Sequence, residues 1–316
     1  MEQFSIGNNE IKVNYISELP LINYYLENKE KMEFYNYSIM QYDANYPTVI
    51  YKNSDNIDIQ VDSNIMRIEC PINIVSESNI LYMGQKFLER QNLENSKISC
   101  HSACVEKDGK AVLLIGEAGA GKTSLAINLC MQHGYNLISN DMTLIGNNDG
   151  MLYAYEGTKF LNLRLESVNN NMPQLKFLFE NCKKNEWLYK KCMMPHDIGI
   201  LEARGSFPIV NVFFIHVGNR MNCELSPGDT WRNNFIIYQN LTSHISNQSS
   251  SFVDKKGHNI GYVPSFDTKE LYENRIKIID LINDNSYNLC GNLQDCMNVI
   301  NNKMMEKEKV RKYGKR

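Results

Sequence analysis

Ser99-Cys-His-Ser-Ala-Cys-Val-Glu-Lys-Asp-Gly-Lys-Ala-Val-Leu-Leu-Ile-Gly-Glu-Ala-Gly-Ala-Gly-Lys-Thr123 is the stretch that decides the fold. Two apolar runs, 99–105 and 111–115, flank Lys107-Asp108-Gly109-Lys110, and Asp-Gly between strand-like runs is a two-residue hairpin signal. The second run therefore enters a glycine loop as the antiparallel neighbour of the first. In the commonest fold that carries such a loop, the strand before it is instead a central parallel one.

Residues Gly116, Glu117, Ala118, Gly119, Ala120, Gly121, Lys122 and Thr123 fit G-x-x-x-x-G-K-[ST] without a mismatch, with a strand before them and a helix predicted over 122–132. Glycines let backbone N–H groups turn inward around phosphate oxygens, and the helix start adds partial positive charge. Lys122 reaches the outer phosphates, the Thr123 hydroxyl suits Mg²⁺, and Ser124 completes the set. The pattern predicts a bound nucleoside triphosphate, ATP or GTP. A purely structural glycine turn would not require Lys-Thr at the helix start.

Upstream, residues 46–75 read as strands at 47–51, 57–61, 66–70 and 72–75. A helix follows, capped by Ser76 or Ser78, and ends in the polar stretch 91–96. A boundary near 95 divides a β-rich N-terminal module, 1–95, from a nucleotide-binding domain, 96–316. Downstream, Gly134 stops the helix, a strand over 135–139 ends on Asn140-Asp141, and an apolar strand covers 209–217. A polar loop follows over 242–256. Asp267-Thr268-Lys269-Glu270 opens a helix, and a last one carries Leu293, Met297, Ile300 and Met304 on one core-facing stripe.

A net charge of -3 gives no bulk electrostatic case for nucleic acid or an acidic membrane. No apolar run approaches the roughly 18 residues of a membrane span and no leader pattern opens the chain, so a cytoplasmic protein is expected. Nine cysteines without paired CxxC spacing point to reduced thiols. Cys100 and Cys104 bracket His101, but no second ligand pair has zinc-site spacing. Seven basic against two acidic residues over 303–316 make either a solvated helix end or an arm that binds phosphate or a partner.

From 99 to 205 the chain resembles the catalytic domain of HPr kinase/phosphorylase, a bacterial serine kinase with a phosphoenolpyruvate-carboxykinase-like fold. His101 precedes the loop by fifteen residues, and Gly134 to Asp141 is similar to the family's G-[HY]-x-L-[IV]-x-D-D strand. Glu202-Ala203-Arg204-Gly205 is similar to its E-I-R-G signature. The resemblance implies an α/β core with a mixed sheet and self-association. It also implies γ-phosphoryl transfer to a hydroxyl, with Mg²⁺ on Thr123, Asp141 and Glu202, supporting charge from Arg204, and His101 handling protons or orienting acids. Asn140 departs from the family, which has there the aspartate that serves as general base, and asparagine cannot accept a proton. The N-terminal module and a family loop near the C-terminus are also unmatched, so recognition of HPr itself is not implied, and the expected acceptor is a peptide or small protein.

Three readings follow: a hydroxyl kinase, a nucleotide-binding switch that has lost transfer, and a small-metabolite kinase of the common phosphate-loop fold, against which the hairpin counts. Arg164, His196-Asp197 and Lys255-Lys256-Gly257-His258 are further candidates for phosphate or substrate contact. Trp187 and Tyr189, beside Phe177 and Phe179, read as peptide-docking surface or core.

Overall fold

The structure is a computed structural model that describes residues 1–29, 32, 37–180, 189–218, 221–243, 245–246 and 251–313, with side chains up to Met305. The chain opens with β1 (Glu2–Gly7), β2 (Lys12–Ser17), α1 (Leu21–Asn28), β3 (Ser38–Met40), β4 (Thr48–Asn53), β5 (Asp58–Asp62), β6 (Ile65–Cys70) and α2 (Glu77–Glu94). Then come β7 (Lys97–Lys107), β8 (Lys110–Ile115), α3 (Lys122–His133), β9 (Asn136–Ser139), β10 (Met142–Asn148), β11 (Met151–Gly157), β12 (Leu161–Arg164), α4 (Leu165–Asn171) and β13 (Lys190–Met193). The last elements are β14 (Phe207–Val217), β15 (Glu224–Pro227), α5 (Trp231–Thr242), β16 (Ser251–Val253), β17 (Asn259–Tyr262), α6 (Lys269–Asn283), β18 (Ser286–Gly291) and α7 (Leu293–Tyr313).

Two compact units result, one of Met1–Ser99 with Tyr238–Lys277, the other of Cys100–Ile237 with Ile278–Arg316. This departs from a single cut near residue 95, because Tyr238–Lys277 packs with the N-terminal segment. Both units mix strands and helices, as expected of an α/β protein. Among the described residues no helix is long and apolar enough to cross a membrane, and every described cysteine is free.

In the first unit a mixed sheet runs β3-β1-β2-β4-β6-β5, with β2, β4 and β6 parallel. Ser76 caps α2 as expected, its side chain accepting from Asn79 N–H. Gly84 sits mid-helix because Tyr15 needs its space: a Cβ there would meet the Tyr15 hydroxyl at 1.9 Å, and that hydroxyl donates to Leu81 O at 2.8 Å. Residues 72–75 are not the strand expected. Ile74 N–H donates to Pro71 O in a turn, and Ile72 is exposed. Nor is 242–256 a single loop, since Ser251–Val253 pairs with Asn259–Tyr262; Ser249 and Ser250 lie outside the described residues.

Arg275 of α6 is fully buried, donates to both Asp267 oxygens at 2.9 and 2.6 Å, and stands 5.8 Å from the ring centres of Tyr238 and Tyr272. Removing one partner of a buried pair strands the other charge, so Asp267→Ala should cost about 3–5 kcal/mol in denaturant unfolding. A loss below about 1 kcal/mol would instead mark a solvated pair.

Lys86 is buried on α2, and burial pulls its ammonium down to about 8. The unfolded chain keeps that proton to roughly pH 10.4. Between those values the unfolded state binds more protons, so stability rises with pH. The wild-type chain should therefore gain stability over Lys86→Met between about pH 8 and pH 10 in thermal melts. Parallel melting curves would contradict it.

The second unit holds an eight-stranded mixed sheet in the order β11-β10-β7-β8-β14-β18-β15, with β9 added to β7. The hairpin is as predicted: β7 and β8 are antiparallel, and Asp108 and Gly109 both take positive φ, 53° and 74°. On its other side β8 lies parallel to β14, and β14 parallel to β18. Apolar faces of α3 (Leu125, Leu129) and α7 (Met297, Ile300, Met304) pack with Phe213, Ile215 and Leu289 in one core. The α7 stripe is thus core, while the tail's side chains beyond Met305 lie outside the described residues.

Candidate functional site

The glycine loop fills the step between the end of β8 at Ile115 and the start of α3 at Lys122. Gly119 and Gly121 take φ of 85° and 96°, which L side chains resist. At Gly116 the obstacle is space, because a Cβ would sit 2.9 Å from both Ala120 Cβ and Ile215 O. The loop is tied down where Val217 N–H donates to Ala120 O at 3.0 Å, and Leu125 N–H to Gly121 O at 2.9 Å starts the helix.

Lys122 is buried, and its Nζ donates to Gly116 O at 2.7 Å and Glu117 O at 3.3 Å. Burial pulls its ammonium below the usual lysine value, against the opposing pull of Asp141. Thr123 Oγ1 donates to Asn140 Oδ1 at 2.7 Å, and Asn140 Nδ2 donates to Phe160 O at 3.0 Å. Asn140 is only 2% exposed, so both ends of its amide are specified by buried partners.

Asp141, at the β9–β10 junction, has φ 80° and accepts from Ser102 N–H through its carbonyl at 3.0 Å. That turn aims its side chain at His101, with Oδ1 3.3 Å from Nε2. The His101 hydrogen bond holds the Asp141 carboxyl below its ordinary range, with Lys122 and Lys190 adding smaller attractions and burial opposing.

These groups line one cavity of about 330 Å³, which also takes in Arg164 and Lys190. Arg164 and Lys190 are register partners across the two-stranded β12–β13 ribbon, so two cations arrive together at one wall. The arrangement suits a multiply charged anion: open backbone at a helix start, a buried ammonium and flanking cations, beside the carboxylates of Asp141 and Glu117.

No protein-family model and no curated protein sequence matches the chain. Among solved structures, the Hpr(Ser) kinase/phosphatase from Coxiella burnetii is similar over 41% of this chain and 77% of its own, at 13% identity and a TM-score of 0.24. A likeness at that level carries no argument here, and the functional reading rests on the residues.

Of the sequence-predicted residues, the cavity gathers Glu117, Ala118, Gly119, Ala120, Gly121, Lys122, Thr123, Ser124, His101, Asn140 and Asp141. Gly116 instead lines a neighbouring cavity on the other side of the loop. Glu202 and Arg204 do not line the cavity. Glu202 bridges to Leu137 beside β9 and faces His196 Nδ1 at 4.0 Å, in a polar group with Lys159, whose Nζ donates to Ala203 O at 3.2 Å. Of the trio Thr123, Asp141 and Glu202, only the first two line the cavity.

Arg164 joins the site, but Lys190 and the smaller liners Asn162, Ser167 and Asn171 were missed. No local pattern announces them, because only ribbon pairing brings residue 190 beside residue 164. Lys255 to His258 form a hairpin turn of the first unit, with His258 Nδ1 3.1 Å from Asp254. Phe179 is buried against Tyr189, edge to face at 6.1 Å, and Trp187 lies outside the described residues.

Proposed function

We propose that this chain is a kinase that uses ATP or GTP with Mg²⁺ to phosphorylate a hydroxyl, serine foremost, of a peptide or small protein. The observation that carries the reading is the meeting of the Lys122–Thr123 loop end with the His101–Asp141 pair in one cationic cavity. The core would be of HPr kinase-like, phosphoenolpyruvate-carboxykinase-like type, supported by the antiparallel hairpin that feeds the loop and by the order of the short motifs. The second unit would be the catalytic domain and the first an accessory module, with self-association left as an expectation from the resemblance.

The donor set fits the metal. Thr123 and Asp141 offer oxygen only, and Mg²⁺ commonly takes one or two carboxylates and completes its shell with substrate phosphates and water. Among the described residues no three His, Cys, Asp or Glu side chains cluster as a self-sufficient metal cage. Bound there, Mg²⁺ would neutralise charge on the outer phosphates.

The chain's own groups do the rest. Loop N–H groups and Lys122 Nζ hold phosphate oxygens, the ammonium exchanging its loop carbonyls for the ligand. Asn140 fixes the Thr123 hydroxyl by accepting its hydrogen bond at Oδ1, which leaves the oxygen lone pairs facing the cavity. A loose transition state needs positioning more than early proton removal. The acceptor proton therefore leaves late, to the His101–Asp141 pair.

The test is mass spectrometry of proteins and peptides encoded beside the gene, each incubated with the chain, Mg²⁺ and ATP or GTP. One acceptor should gain the mass of a single phosphate, and the gain should vanish when Mg²⁺ is chelated. A second reading, a nucleotide-binding switch, is favoured by one observation: the Asn140 amide is fully engaged and takes no proton. Tight nucleotide binding with no acceptor modified would establish that reading instead.

A further inference from the structure

The glycine loop has two sides, and the cavity just described occupies only one of them. Behind the loop lies a second, larger cavity of about 630 Å³, inside the roughly 300–1,000 Å³ range of small-molecule sites. Its floor is one face of two parallel strands. Phe214 and His216 alternate along β14, and their register partners Asn288 and Cys290 alternate along β18. The residues between them, Phe213, Ile215 and Leu289, belong to the core under α3 and α7. The cavity is therefore on the face those helices leave open, at the carboxyl ends of β8, β14 and β18, where open α/β sheets take ligands.

Its walls are the first turns of α5 on one side and the glycine loop on the other. Thr230 starts that helix by accepting from Asn233 N–H at 3.2 Å. Glu117 and Ala120 line both cavities, so the loop tip is the seam between them. Arg232 of α5, which lines the second cavity, reaches Glu117 at 3.4 Å and offsets its charge.

The chemistry of the two cavities differs. The first gathers His101, Lys122, Asp141, Arg164 and Lys190, whereas the second offers the Phe214 ring, the His216 imidazole, Ile236 and the Cys290 thiol, its cation, Arg232, being paired with Glu117. The polar floor atoms are spent on each other. Asn233 Nδ2 donates to Gly228 O at 2.7 Å and to Asn288 Oδ1 at 2.8 Å, and Asn288 Nδ2 donates to Pro227 O at 2.8 Å. A surface of satisfied amides, rings and aliphatic groups suits a flat heteroaromatic held by packing, not a phosphate.

We propose that this second cavity is the nucleoside site: base and ribose lie on Phe214, His216 and Cys290, the phosphate chain crosses the loop tip, and the acceptor enters from the Arg164–Lys190 side. The assignment rests on the nucleotide reading of the loop. It fixes a direction for the ligand, since the transferring phosphoryl group then meets Asp141 on the far side of the loop from the base.

Calorimetry of the full chain with ATP, and separately with inorganic tripolyphosphate, tests it in wild type and in Ile236→Trp, which narrows the cavity. The expected result is a fall in ATP affinity of roughly 10- to 100-fold, the scale of one base stacked on an aromatic ring. Tripolyphosphate affinity should stay within about twofold, well under the tenfold that marks 1.4 kcal/mol. An unchanged ATP affinity in the folded variant overturns the proposal.

Should Ile236→Trp not fold, Cys290 alkylation in the wild-type chain, mapped by peptide mass, decides. ATP must slow it and tripolyphosphate must not. Equal labelling with and without saturating ATP overturns the assignment. If neither ATP nor tripolyphosphate binds the wild-type chain, the loop reading itself has failed, which is a separate outcome.

Discussion

Lys122→Ala should lower phosphoryl transfer by about 10²–10³-fold, the scale seen when one preorganised donor to a developing anion is removed. The side chain is buried and donates to the Gly116 and Glu117 carbonyls of its own loop, so the loss of folding stability should be small beside the loss of rate. Lys122→Arg should not rescue, because a planar guanidinium does not replace a compact ammonium under a tight glycine loop. A proton signature accompanies the effect. Burial holds the free-state ammonium below its ordinary value, and a bound triphosphate favours the charged form, so binding takes up protons and affinity falls as pH rises through the free-state value. Calorimetry in buffers of different ionisation enthalpy reads that uptake. Transfer that survives Lys122→Ala at the wild-type rate would remove the loop from the mechanism.

Asn140→Asp is the second large effect, and here the structure argues for a loss. The amide nitrogen donates to Phe160 O at a site almost closed to water. A carboxylate would set oxygen against oxygen, and leaving buried acceptors unsatisfied costs about 1–3 kcal/mol. Protonation would relieve the clash, raising the introduced carboxyl above its unfolded value. The sign follows: the variant keeps more of its stability below the unfolded value and loses it as pH rises through the folded one. Melting curves should therefore separate from wild type with increasing pH, while transfer falls at neutral pH. A marked gain in transfer would mean that asparagine marks a degraded catalytic site.

The fold around the loop was legible because its signals are local. Asp108-Gly109 requires two residues at positive φ, Gly134 closes α3 in the left-handed region, and the glycine loop has fixed chemistry at fixed spacing. The Asn140–Asp141 strand end was legible for the same reason, lying one helix and one strand beyond the loop. What was not legible depends on pairing across long separations. Lys190 reaches the cavity only through its register with Arg164. The first forty residues supply β1, β2 and β3, and the strand alternation Ile11, Val13 and Tyr15 that runs into β2 was not read from the sequence. Glu202 shows the converse, a short signature in the right order whose carboxylate lies 4.0 Å from His196 and which does not line the cavity.

The grouping of Met1–Ser99 with Tyr238–Lys277 has a consequence for synthesis. The N-terminal sheet leaves the ribosome long before α6, whose Asn274 side chain donates to Leu93 O at 3.2 Å. At about 5–20 residues per second that wait is on the order of ten seconds or more. The nascent sheet must spend it without its late segment, and during that interval the chain is most in need of a chaperone.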